Sequence, residues 1–287
     1  MRIKLEKGDM LLELDPAAGG AVSALKHRDL NVLRAAPDRC GPAFEPLQYA
    51  AFPMVPFVGR IHNGLFRAQE QSVQLHPNLP PEPHAIHGYG WKTAWLVEVQ
   101  TSEAVTLLHR HEADAWPWDY EARQTFRVEG SYLLVDLSVT NLGATPMPAG
   151  LGWHPYFYRA EASIALPTTH VWHPDDVSGD NTPHEIPSEA DLTIAAPVED
   201  LKLDTTFSVA SPEIKLEWPT HAVTLRSDPI FSHATIYVPP REDFFCAEPI
   251  THAPNSVNGT LSPDITGQKW LEPGQKLSGS IRLEIDH

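Results

Sequence analysis

Tyr120-Glu121-Ala122-Arg123-Gln124-Thr125-Phe126-Arg127-Val128-Glu129-Gly130-Ser131-Tyr132-Leu133-Leu134-Val135-Asp136-Leu137-Ser138-Val139-Thr140 is the stretch that decides the fold. Phe126 and Val128, then Leu133, Val135, Leu137 and Val139, recur at every second position, the period of a strand with one face in a core and one in water. Glu129-Gly130-Ser131 interrupts the alternation with a turn, and Asn141-Leu142-Gly143 ends it. The prediction is an antiparallel hairpin.

The same period runs outward to both ends of the chain, through Ile3 and Leu5, Met10, Leu12 and Leu14, and Ile281, Leu283 and Ile285. No stretch longer than two or three turns keeps a 3.6-residue apolar repeat with caps. The 28 prolines further disfavour long helices. The chain reads as all-β, a single domain of many antiparallel strands over residues 1–287. Asn-Gly in His62-Asn63-Gly64-Leu65 predicts a second tight turn, and the Pro-rich segments 77–83 and 146–148 read as loops between strands.

Composition excludes several function classes. With 21 Lys and Arg against 37 Asp and Glu, the formal charge of -16 disfavours a nonspecific grip on nucleic acid or anionic membranes. The opening Met1-Arg2-Ile3-Lys4-Leu5-Glu6 alternates from its first residues and carries no signal-peptide core, so the expected compartment is cytoplasmic. Cys40 and Cys246 are too few for a disulfide framework or a zinc site by themselves, and both are expected as reduced thiols. Asn258-Gly259-Thr260 fits a glycosylation sequon but reads as a turn.

Two ionisable residues stand among aromatic and apolar neighbours beside a proline: His154 in Trp153-His154-Pro155-Tyr156-Phe157 and Glu248 in Phe244-Phe245-Cys246-Ala247-Glu248-Pro249. Partial burial would shift their proton affinities, and the following proline restricts the backbone at each, so their side chains are aimed. A carboxylate and an imidazole suffice to move protons at two oxygens of one substrate without metal or cofactor. Arg60 ends an apolar stretch just before a turn, where its guanidinium offers fixed donors. His84 and His87, beside Gly88, Tyr89, Gly90 and Trp91, suit a sugar face or a metal, as do His109 and His111, two apart on a strand. With no cysteine or carboxylate at ligand spacing, no metal is expected. Asp204 sits among apolar residues in 201–207, where a turn or cap role competes with a functional one.

In sequence order, Arg60, His87-Gly88, His154-Pro155-Tyr156-Phe157, Asp204 with Phe207, and Glu248-Pro249 resemble the aldose 1-epimerase (galactose mutarotase-like) family over nearly the whole chain. They resemble most its shorter bacterial branch. The resemblance implies a large antiparallel β-sandwich, no metal and no organic cofactor. It implies interconversion of the α and β anomers of a free aldose, with Glu248 as general base and His154 as general acid. Arg60, His87, Asp204 and Tyr156 would bind the sugar. His154 must then be held protonated by its surroundings. The partner would be a small sugar, with no nucleic acid or membrane, and the chain a monomer or homodimer. Gly59 stands where the family usually has Asn, and His62-Asn63-Gly64 replaces its usual small and basic continuation. The alternatives are a hexose-6-phosphate mutarotase, for which Arg67, Arg159 or Arg226 would have to converge on the site, a noncatalytic sugar-binding protein drawing on the eight tryptophans, and a metal-dependent β-barrel isomerase.

Overall fold

The computed structural model describes residues 2–37, 46–172 and 181–286; Cys40 lies outside them. Two large antiparallel sheets dominate. The first runs in the order Ile3–Lys7, Met10–Asp15, Ala21–His27, Ala51–Met54, Gly152–Tyr158, Phe244–Ile250, His233–Tyr237, Asp204–Val209 and Thr168–Trp172, with Leu30–Asn31 paired beside Ala21–His27. The second runs Leu96–Gln100, Ala104–His111, Tyr120–Glu129, Tyr132–Asn141, Lys276–Asp286, His221–Ser227, Glu213–Trp218, Ser163–Ala165 and Ala196–Pro197.

The second sheet follows the alternation read from the sequence. Tyr120–Glu129 alternates buried and half-buried residues along its whole length and pairs with Tyr132–Asn141, with Glu129 opposite Tyr132 across Gly130 and Ser131. One face therefore lies on the core and the other meets water. Phe126, Val128, Leu133, Val135, Ile281 and Leu283 join Leu5, Leu12, Phe157, Phe207 and Phe245 of the first sheet in one apolar cluster, so the two sheets form a sandwich around a shared core.

Along its central strands the first sheet is covered on both faces. Gly152–Tyr158 is buried at every residue but the last, and Phe244–Ile250 at every residue but the first. The face away from the core carries a second apolar cluster in which Phe52, Trp91, Tyr156 and Cys246 pack together. Two-sided burial is why these strands show no alternation in sequence.

Two local expectations change. Asn63 and Gly64 do take positive φ (52° and 66°), but the turn joins no hairpin: Arg60–Ile61 pairs with Ala85–Ile86, and Leu65–Ala68 with Gln71–Gln74. The 146–148 segment is partly strand, because Met147–Ala149 pairs with Lys269–Leu271. Asn258 ends a short turn, Ser256–Asn258, and its amide donates to Leu65 O and Asn255 Oδ1. Among the described residues no helix is long and apolar enough to cross a membrane.

Candidate active site

Strand pairing assembles the site. Gly152 pairs with Ile250 and Tyr156 with Cys246, which brings His154 and Glu248 opposite one another on adjacent strands. On either side, His154 pairs with Phe52 and Glu248 with Thr235, and Thr235 in turn pairs with Thr206. Phe52, His154, Glu248, Thr235 and Thr206 thus form one row across the sheet. Two residues along lies a parallel row, Tyr156, Cys246, Tyr237 and Asp204. Both rows project from one face, because strand side chains alternate.

That face floors a cleft of about 300 Å³ lined by His154, Tyr156, Asp204, Thr206, Thr235, Tyr237 and Glu248. Its walls include Leu47, Gly59, Arg60, Leu79, Glu82 and His87. All six residues expected at the site therefore meet in one cavity.

His154 Nε2 lies 3.2 Å from Glu248 Oε1. Burial pushes the imidazole down to about 3 and, with the charge of Asp204, the carboxyl well above its ordinary range. At an effective dielectric near 20, an ion pair at this separation gains about 5 kcal/mol of attraction. Removing two ions from water costs several kcal/mol each, so the uncharged pair wins in the empty cleft. The surroundings therefore do not hold His154 protonated, contrary to the expectation from sequence. The pair carries a single proton. Packing fixes the ring: Phe52 is tilted on one side, 4.4 Å between centroids, and Tyr156 stacks at 4.8 Å and 21°. Nδ1 of His154 is buried without a hydrogen-bond partner.

His87 stands edge-on to His154, 5.4 Å between centroids and 89° between planes. Its backbone has φ 58°, followed by Gly88 at 71°, where a Cβ would meet Val55 O at 2.2 Å. Only glycine fits there. Desolvation and the nearby His154 and Arg60 hold the His87 ring neutral. Its Nδ1 accepts from the Gly59 N–H at 3.3 Å, so Nε2 carries the hydrogen and is a donor. Gly59 itself has φ 61°. Glycine and asparagine are the residues that best tolerate this conformation, which accounts for one replacing the other.

Arg60 Nη2 donates to Asp204 Oδ2 at 3.1 Å and to Glu82 Oε1 at 3.3 Å, and the guanidinium is mostly buried between them. Asp204 is on the sheet and Glu82 in the proline-rich loop, so Arg60 ties the loop to the floor. The three other arginines do not converge on it. Arg159 donates to Pro239 O and Glu199 O, Arg226 pairs with Glu213 and Glu284, and Arg67 is not in the lining.

Several lining residues escaped sequence reading. Thr206 and Thr235, whose hydroxyls are 2.8 Å apart, and Tyr237 reach the cleft only through cross-strand register. Thr206 had one signal, its spacing of two from Asp204. Arg34, outside the lining, stacks its guanidinium over Tyr156 and Phe244 at 4.2 and 4.4 Å. None of the eight tryptophans lines the cleft; Trp91 instead stacks beneath Phe52.

The histidines considered as metal ligands separate. His84 packs against His62 and accepts from Asn63 N–H; His109 bonds to Thr93 and Tyr120, and His111 lies against Asp114.

The family model described as aldose 1-epimerase matches residues 1–284. The Escherichia coli K12 protein YphB, described as uncharacterized, is 28% identical over 96% of each chain. A crystal structure from Escherichia coli K12, assigned provisionally as an aldose 1-epimerase, superposes with a TM-score of 0.88 at 26% identity, covering 100% of this chain and 99% of that one. A galactose mutarotase-like protein from Clostridium acetobutylicum superposes equally well, TM-score 0.88, at 18% identity over 100% and 95%. The antiparallel sandwich is thus of the galactose mutarotase type, and the chain belongs to the aldose 1-epimerase family.

Proposed function

We propose that the chain is an aldose 1-epimerase that interconverts the anomers of a free, unphosphorylated aldose by opening and closing the sugar ring. The observation that carries this reading is the buried His154–Glu248 pair, 3.2 Å apart in a sugar-sized cleft. On sugar binding, the O1–C1–O5 unit meets the pair from the cleft, with O1 against Glu248 and O5 against His154. The shared proton moves to His154, leaving Glu248 as the carboxylate. Glu248 takes the O1 hydrogen while His154 gives its proton to O5, the C1–O5 bond breaks, and an aldehyde forms. The pair is then uncharged, the state that desolvation favours in the empty cleft. Rotation about C1–C2 presents the other face, and the reverse transfers close the ring to the opposite anomer. No proton is exchanged with solvent during the cycle, and the reaction needs no outside acid or base.

The neutral His87 Nε2–H, Arg60 and Asp204 supply donors and acceptors for the ring hydroxyls, and Tyr156 forms part of the wall. Arg60 is the one cation in the described lining, and two carboxylates already engage it. This supports a neutral sugar over a phosphorylated one. The shared apolar core supports reading residues 1–287 as one domain, and the small, polar-lined cleft supports a small sugar as its partner.

Anomer exchange measured by NMR on free and phosphorylated hexoses and pentoses tests the reading. Accelerated exchange of a free aldose that is lost in Glu248→Gln supports it. Saturable binding without any acceleration would instead make the chain a sugar-binding protein.

A further inference from the structure

His154, Cys246 and Glu248 are the one group of three metal-ligating side chains among the described residues whose donor atoms all lie within 4.8 Å of one another. All three are buried. Cys246 and Glu248 are two apart on one strand and share its face, while His154 comes from the adjacent strand, where Tyr156 pairs with Cys246. Ligand spacing in the sequence cannot reveal this trio, because the imidazole and the two acidic groups arrive from distant segments.

We propose that this trio is a zinc-type metal site, in which a soft divalent cation takes the place of the proton between Glu248 and His154 and blocks the enzyme. The ligand set suits such an ion: one sulfur, one imidazole nitrogen and one carboxylate oxygen, leaving a fourth position. Binding displaces two protons to solvent, one from the Cys246 thiol and one from the Glu248–His154 pair. The thiolate and carboxylate then balance the two positive charges, and the imidazole adds a neutral lone pair. A charge-neutral centre is compatible with a buried site. Ligand atoms around tetrahedral zinc lie about 3.5 Å apart, so the 3.2 Å between His154 and Glu248 already fits and the thiol, within 4.8 Å of both, closes by at most about 1.3 Å. His154 and Glu248 face the cleft, which gives the ion its way in.

Metal binding stands independently of the proposed reaction; the inhibition rests on it. The test is titration of the metal-free whole chain with Co2+. One equivalent should produce a thiolate-to-cobalt charge-transfer band that is absent in Cys246→Ser, weakened in the near-isosteric Glu248→Gln, and unchanged in Cys40→Ser. Zn2+ should displace the Co2+ and slow anomer exchange reversibly, with recovery on adding EDTA. Cys246→Ser should need at least about tenfold more Zn2+ for the same inhibition while keeping its metal-free rate. No band, or one that survives Cys246→Ser, overturns the proposal. A Cys246-dependent band in a protein with no anomer exchange would retain the metal site and remove the mutarotase reading.

Discussion

His154 and Glu248 face each other across adjacent strands with 3.2 Å between Nε2 and Oε1, and the protein surrounds both so completely that neither favours its charged form. A carboxyl that would be ionised in water at neutral pH instead shares one proton with a neutral imidazole. Glu248→Gln keeps the shape and removes the proton acceptor, and His154→Gln removes the acid. Each should lower anomer exchange by roughly a hundred to ten thousand fold, the range of a single general acid or base. Glu248→Gln should unfold at the same temperature as wild type or above it, because glutamine spares the cost of protonating, on folding, a carboxyl that is ionised in the unfolded chain. Polarimetry and a thermal melt on the same samples separate lost chemistry from lost fold.

The shared proton also fixes the pH profile. Protonating the pair a second time requires charging His154, whose affinity burial has lowered to about 3, and removing its one proton requires ionising Glu248, whose affinity is raised. Both limbs therefore move outward. kcat/KM should stay level as pH falls through 6.5, where an ordinary histidine would titrate. A decline centred on 6.5 in buffer-corrected rates would show that the pair carries charge in the free enzyme.

Arg60, bridged to Asp204 and Glu82, makes the cleft a poor host for anions. Glucose 6-phosphate should have a kcat/KM at least about tenfold below that of glucose, since the phosphate would have to compete with two carboxylates for one guanidinium. Asp204→Asn weakens one arm of the clamp and should raise KM about tenfold with a smaller change in kcat, as expected for a group that binds ground and transition states alike. Equal turnover of both sugars would return the phosphosugar reading.

Much of this was legible in the sequence, for reasons that differ by residue. The hairpin Tyr120–Glu129 and Tyr132–Asn141 shows its alternation because one of its faces meets water. Gly152–Tyr158 and Phe244–Ile250 are covered on both faces and have no period to read, yet for that reason a histidine and a glutamate stood out within them. Register was not legible. Thr206, Thr235 and Tyr237 enter the cleft by facing Glu248 and Cys246 across strands, a relation between distant segments. The charge state of His154 is not legible either, because it depends on the depth of burial, which flanking aromatics suggest without measuring.

Acid should unfold the protein through histidines outside the cleft. His109, His233 and His252 are at most 5% exposed, and burial lowers their affinities to about 4, about 3 and about 4. Neighbouring histidines add to the lowering at two of them, His111 beside His109 and His252 beside His233. Each folded value lies below the unfolded 6.5, so the unfolded chain binds more protons between the two, and stability present above 6.5 is lost as pH falls. By pH 5 each histidine withdraws about 2 kcal/mol, or about 6 kcal/mol for the three, which is comparable with the whole stability of a typical domain. Glu248 acts in the opposite sense, because a carboxyl protonated in the fold and ionised in the unfolded chain stabilises the fold as pH falls, whereas His154 and His87, also lowered by burial, add to the loss. Tryptophan fluorescence followed from pH 7.5 downward should therefore show cooperative unfolding near pH 5. His233→Gln, which cannot take up a proton, should shift that midpoint to lower pH, and a midpoint unmoved by the substitution would mean that His233 does not drive acid unfolding.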